Sequence, residues 1–161
     1  MENIVSNSRA AHKHVLYRQA AQQVASLISG VDNPVGALAN VTAVLNDTFS
    51  HYLWVGFYRV DGDVLKLDVF QGSPACYTIA RGKGVCGTAW AMATTLIVPD
   101  VHNFPGHIAC SSLSRSEIVV PVVREGRVVA VIDVDSDSLD AFDMADREGL
   151  EKIAAIVEPL L

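Results

Sequence analysis

Two rhythms divide the chain. Over residues 9–29 apolar side chains return every three or four positions, with Val15, Leu16, Ala20, Val24, Leu27 and Ile28 on one stripe and Arg, Lys and Gln elsewhere. That period predicts an amphipathic helix, which Gly30 ends. Asn33 then Pro34 supply a cap and a first-turn residue for a second helix through about Phe49. Leu38, Thr42, Leu45 and Phe49 recur along it. From Tyr52 the period falls to two. Residues 52–60 (YLWVGFYRV) are aromatic and β-branched, and residues 64–70 (VLKLDVF) alternate. Leu65, Leu67 and Val69 are expected on one face there, and Lys66 and Asp68 on the other. Asp61-Gly62 reads as the hairpin turn between the two strands.

The pattern then goes quiet from residue 71 to residue 116. Small residues, Gly, Pro and His gather here, with a short helix expected near residues 85–92 and an extended piece at 95–98. Regularity returns with residues 118–123 (IVVPVV), a tight turn at Glu125-Gly126, and residues 127–134 (RVVAVIDV). Pro121 cannot donate to a ladder, so its strand has an edge or an irregular stretch. A last helix starts near Asp143, with Asp146 in its first turn and Leu150, Ile153, Ala154, Val157 and Leu161 as its stripe. Helices at both ends and hairpins between them predict one α+β domain over residues 1–161, built on an antiparallel sheet. A long irregular excursion inside such a domain is where function tends to sit.

Composition removes several classes of function. Half of the 161 residues are hydrophobic and 19% are charged, which excludes global disorder. Twelve basic residues against eighteen acidic ones give a net charge of −6. The basic residues are scattered without interleaved aromatics, so no nucleic-acid partner is expected. The nearly uncharged stretch from Gly84 to Pro99 is too short and too rich in Thr and Gly to span a membrane. The first residues lack the basic start and apolar block of a signal peptide, so a cytoplasmic location is expected.

Candidate chemistry begins with VVAVIDVDS. Asp133 and Asp135 share a strand face and continue that of Val129 and Val131, while Ala130, Ile132 and Val134 line the other. Facing inward, two carboxylates would hold a proton near neutrality; facing solvent, they would only cap a turn. Glu117 opens the neighbouring strand, where hairpin pairing brings it toward Asp133; a surface pair with Arg115 is the alternative. Trp54 and Tyr58 stand four apart on one face, either as core or as the wall of a small-ligand pocket.

Cys76, Cys86 and Cys110 are an odd set without CxxC spacing, which argues against a structural disulfide framework. A zinc site recruiting them with His102 or His107 would depart from paired-ligand spacing, and no metal is expected. Lys83 near Cys86, and His107 near Cys110, could each favour a thiolate. No phosphate loop or dinucleotide fingerprint is present, and no cofactor is expected.

GKGVCGTAW, IVPDVHNFPGHIACSS, SRSEIVVPV and VIDVDSDSLDAFDMADREGL, in this order, closely resemble the free methionine-(R)-sulfoxide reductases, small stand-alone GAF-domain enzymes. The match runs from about Asn46 to the C-terminus, and the N-terminal helices fit. The resemblance implies a central antiparallel sheet of about six strands flanked by helices, a homodimer, and a pocket for free methionine sulfoxide. It implies Cys110 as attacking nucleophile, with Cys76 and Cys86 as resolving or auxiliary thiols. Glu117, Asp133 and Asp135 would hold the substrate amine and assist oxygen protonation, Glu117 and Asp135 as the acids and Asp133 facing the ammonium. Trp54 and Tyr58 would enclose the methyl-sulfur end. Attack at sulfur leaves a sulfenic acid, a second thiol condenses with it, and thioredoxin clears the disulfide. The alternative is a non-catalytic GAF module that senses a ligand or redox state.

Overall fold

Six strands among the described residues form one antiparallel sheet in the order β3-β2-β1-β6-β5-β4. The computed structural model describes residues 2–108 and 110–161, with residues 2–7 described through their backbone alone. Along the chain lie α1 (Glu2–Ile28), α2 (Pro34–Thr48), β1 (Trp54–Asp61), β2 (Val64–Gln71), β3 (Thr78–Ala80), α3 (Gly84–Met92), β4 (Leu96–Val98), β5 (Ser116–Arg124), β6 (Arg127–Ser136) and α4 (Met144–Val157). The α+β architecture follows the expected order of helices and hairpins. β3 is the strand that the residue pattern did not announce: it is three residues long, and only Ile79 in it is buried.

The sheet carries a core on each face. Val55, Phe57, Ile118, Val120, Ala130, Ile132 and Val134 meet α2 and α4 on one side. α1 packs across α4 and α2. Trp54, Tyr58, Leu65, Val119 and Val131 face the other way, toward Val85, Cys86, Ala89 and Trp90 of α3. Asn33 caps α2 by accepting from the Gly36 N–H, and Asp143 and Asp146 form a reciprocal capping box on α4.

The hydrophobic stripe of α1 lies elsewhere than its apolar period suggests. Val15 and Leu27 are exposed, and the buried face is Lys13, Tyr17, Ala20, Ala21 and Val24. Lys13 is buried because three oxygens receive it: Ala141 O at 3.0 Å, Asp143 Oδ2 at 2.9 Å, and a short contact to Asp146 Oδ2. Tyr17 donates to Asp146 at 2.9 Å, and its ring lies over Gly149, where a Cβ would sit 2.1 Å away. A polar anchor thus sets the rotation of this helix.

Two bulges shift side chains between faces. Gly56 pairs with Phe70 but Tyr58 with Leu67, so β2 carries an extra residue. Val69 therefore joins the helix-side core, while Leu65 and Leu67 stay on the other. Val122 pairs with Ala130 but Val123 with Val128, which likewise sends Val129 to the helix side, away from Val131. The first hairpin turn is Gly62-Asp63, one residue later than expected, with Asp61 paired to Val64. Glu125 and Gly126, at φ 50° and 76°, make the second turn as expected, both in the left-handed region that matches strand twist. Pro121 lies past the end of β4, which pairs only with Glu117, Ile118 and Val119, so its missing N–H faces an open edge.

Candidate active site

Register places the three carboxylates. On β6, Asp135 sits opposite Trp54 of β1 and Glu117 of β5, and Asp133 sits opposite Gly56 and Val119. Period two then turns Glu117, Asp133 and Asp135 toward one cavity, together with Trp54 and Tyr58. Asp133 and Glu117 are each 6% exposed, so the solvent-facing reading of the carboxylates does not hold. Among the described residues Arg115 makes no ion pair with Glu117.

The aromatic wall is stacked. Trp54 and Phe70 are 5.2 Å apart and Trp54 and Tyr58 are 6.0 Å apart between ring centroids. Gly56 permits this, since a Cβ there would come within 2.5 Å of both Trp54 and Phe70. The same rings hold the chain that follows β2: Trp54 Nε1 donates to Ser73 O at 3.0 Å, and Tyr58 Oη to Cys76 O at 3.1 Å. The aromatic pair is therefore pocket wall and support for Cys76 at once.

Cys76 and Cys110 form a disulfide, with α-carbons 5.6 Å apart, and Cys110 lies at the cavity. Cys86, on the first turn of α3, is buried with its thiol 4.0 Å from Glu117 Oε1. Of the two partners open to Cys110, the structure thus joins it to Cys76. His107 lines the cavity, whereas His102 is exposed and bonded to Asp100. Burial and the neighbouring His102 push His107 down, so it offers Cys110 no cation at neutral pH.

Electrostatics divide the acidic groups. Burial, then Asp133 and Asp135, push Glu117 well above the usual carboxylate range. Burial and Asp135 raise Asp133 in the same direction. Asp135 is raised by burial only to about 6, because Ser114 donates a hydrogen bond to its carboxylate. Cys86 is pushed up by burial and by the same acids, so Lys83 does not make it a thiolate. A helix N-terminus offers an anion about 0.3–1 kcal/mol, too little against two buried carboxylates. Ser114 is the site residue that sequence reasoning missed. A serine just before a strand carries no signal of its own, and period two would group Ser114 with Ser116, Ile118 and Val120, which face the other side of the sheet.

A single six-stranded antiparallel sheet with helices on both faces and a pocket of sulfur, acids and aromatics at one of them is the build of a GAF domain, and residues 33–161 match the GAF domain family model. The free methionine-R-sulfoxide reductase of Neisseria meningitidis, solved in complex with its substrate, is 48% identical, with a TM-score of 0.89 over 92% of this chain and 89% of that one. The Escherichia coli protein named free methionine-R-sulfoxide reductase is 38% identical over 93% of this chain and 91% of its own length. GAF domain-containing protein A of Dictyostelium discoideum is 50% identical over 91% and 92%. The chain belongs to the free methionine-R-sulfoxide reductases of the GAF family. Among the described residues no helix is long and apolar enough to cross a membrane.

Proposed function

We propose that the chain reduces free L-methionine (R)-sulfoxide to L-methionine. The observation that carries this reading is the Cys76–Cys110 disulfide beside a cavity lined by three carboxylates, two buried and Asp135 half-buried. Sulfoxide oxygen leaves only when protonated, and a carboxyl group that keeps its proton at neutral pH can supply that proton. Glu117 fits this role, and Asp135, near 6, can exchange a proton close to working pH. Asp133 Oδ1 is buried without a hydrogen-bond partner among the described residues, which suits it to the substrate ammonium. The stacked Trp54 and Tyr58 rings would hold the methyl-sulfur end.

Cys110 attacks sulfur as the oxygen takes a proton, methionine leaves, and Cys110 becomes a sulfenic acid. The Cys76 thiol displaces water from it to give the disulfide, and a dithiol such as thioredoxin restores both thiols. We assign Cys86 an auxiliary place, and the protein a homodimeric, cytoplasmic setting as a single domain. The test is a thioredoxin-coupled assay with separated free methionine sulfoxide diastereomers. Turnover of the R form alone is expected; turnover of neither form overturns the reading.

A further inference from the structure

Cys86 is the cysteine that the disulfide leaves out, and the cycle above gives it no required step. Its Sγ and one carboxylate oxygen from each of Glu117 and Asp133 lie within 4.8 Å of one another, all three residues buried. Asp133 is 6% exposed, and its Oδ1 has no hydrogen-bond donor among the described residues. A buried carboxylate oxygen without a donor calls for a positive partner. The cavity in front of it measures about 40 Å³. A bound water needs only about 10–15 Å³ on that scale, so an ion with one or two waters fits.

We infer that Cys86, Glu117 and Asp133 form an inhibitory binding site for a divalent metal ion of the zinc type, with a fourth position open to the cavity. A four-coordinate ion with Zn–S near about 2.3 Å and Zn–O near about 2.0 Å draws its donors closer than 4.8 Å, a contraction of about an ångström. One thiolate with two carboxylates selects zinc or cobalt over calcium or magnesium, which take oxygen alone. On binding, the Cys86 proton leaves to solvent and neither sulfur nor metal changes oxidation state. The ion would occupy the carboxylates that face the substrate ammonium, so metal and substrate exclude one another.

The disulfide makes the test clean. In the oxidised protein Cys86 is the remaining free thiol, so any thiolate-to-cobalt charge-transfer band reports on it alone. Titration of the disulfide-intact protein with Co²⁺ is expected to give one ion per chain, that band, and its loss when Zn²⁺ is added. Cys86→Ser should remove the band, and Asp133→Asn should weaken cobalt binding at least about tenfold. The inference is overturned by no saturable binding, by a band that survives in Cys86→Ser, or by unchanged affinity in both Asp133→Asn and Glu117→Gln. Circular dichroism matched to the parent qualifies each variant, and Cys86→Ala replaces Cys86→Ser if the latter does not fold.

Discussion

The hydroxyl of Ser114 donates to Asp135, and this bond sets Asp135 apart from the other two acids of the pocket. All three carboxylates are desolvated, but Asp135 accepts from a serine hydroxyl, which favours its charged form. Ser114→Ala should therefore move Asp135 upward from about 6. A hydrogen bond to a charged group is worth about 1.5–3 kcal/mol, or about one to two pH units. Because Asp135 acts as an acid, the limb of the kcat/KM profile on which activity falls with rising pH is expected to shift upward by that amount. An unmoved limb would separate Asp135 from the titration that governs activity.

The same carboxylate links stability to pH. Its proton affinity is higher folded than unfolded, so the folded chain holds the extra proton between about pH 4 and 6. Its contribution to stability is full below about pH 4 and is lost as pH rises through about 6. The shift from 3.8 to about 6 corresponds to about 3 kcal/mol. Asp135→Asn removes this slope, and urea unfolding of the disulfide-intact protein should find the variant gaining on the parent from pH 4 to pH 7. A difference between the two that does not vary with pH would falsify the assignment.

Single-turnover release of methionine without reductant separates the cysteines. Cys110→Ser should release none, since no nucleophile reaches sulfur. Cys76→Ser should give a full first burst and then stop, and Cys86→Ser should keep both burst and disulfide. Glu117→Gln should slow the burst about 10²-fold or more, because an amide cannot deliver the proton. A normal burst from Cys110→Ser would move the attack to Cys86.

Lys13 anchors α1 to α4 through the buried Asp146. Lys13→Met leaves that carboxylate without its cation and should cost about 3–5 kcal/mol in urea unfolding. Adding Asp146→Asn should recover part of the loss, since the amide carries no charge and its one carbonyl oxygen can still accept from Tyr17, although the bond from the Asp143 N–H is lost. A Lys13→Met protein as stable as the parent would show that the anchor carries no weight.

Lys13 also marks where sequence reading ends. A lysine on a helix reads as solvent-facing, and only its long-range partners, 128 to 133 residues away, turn it inward. The long strands were legible because alternation is local, and the shared face of Asp133 and Asp135 followed from it. Val69 and Val129 were misplaced because a bulge needs two strands to define it. β3 was invisible because three residues with one buried side chain carry no period. The carboxylate trio could be read from residue spacing together with hairpin pairing. The choice of Cys76 over Cys86 could not, because it depends on Tyr58 and Trp54 holding the chain after β2.

The bridge between Cys76 and Cys110 joins the approach to one edge strand with the exit from the other, and closes a loop 34 residues long around α3 and β4. Closing a loop of that size restricts the unfolded chain by about 4 kcal/mol. In the proposed cycle every turnover therefore alternates between a looser and a tighter polymer. The form that waits for a reductant is the one hardest to unfold and slowest to be cut by proteases. Durability runs opposite to readiness: when reducing power fails, catalysis halts and the protein is preserved until it returns.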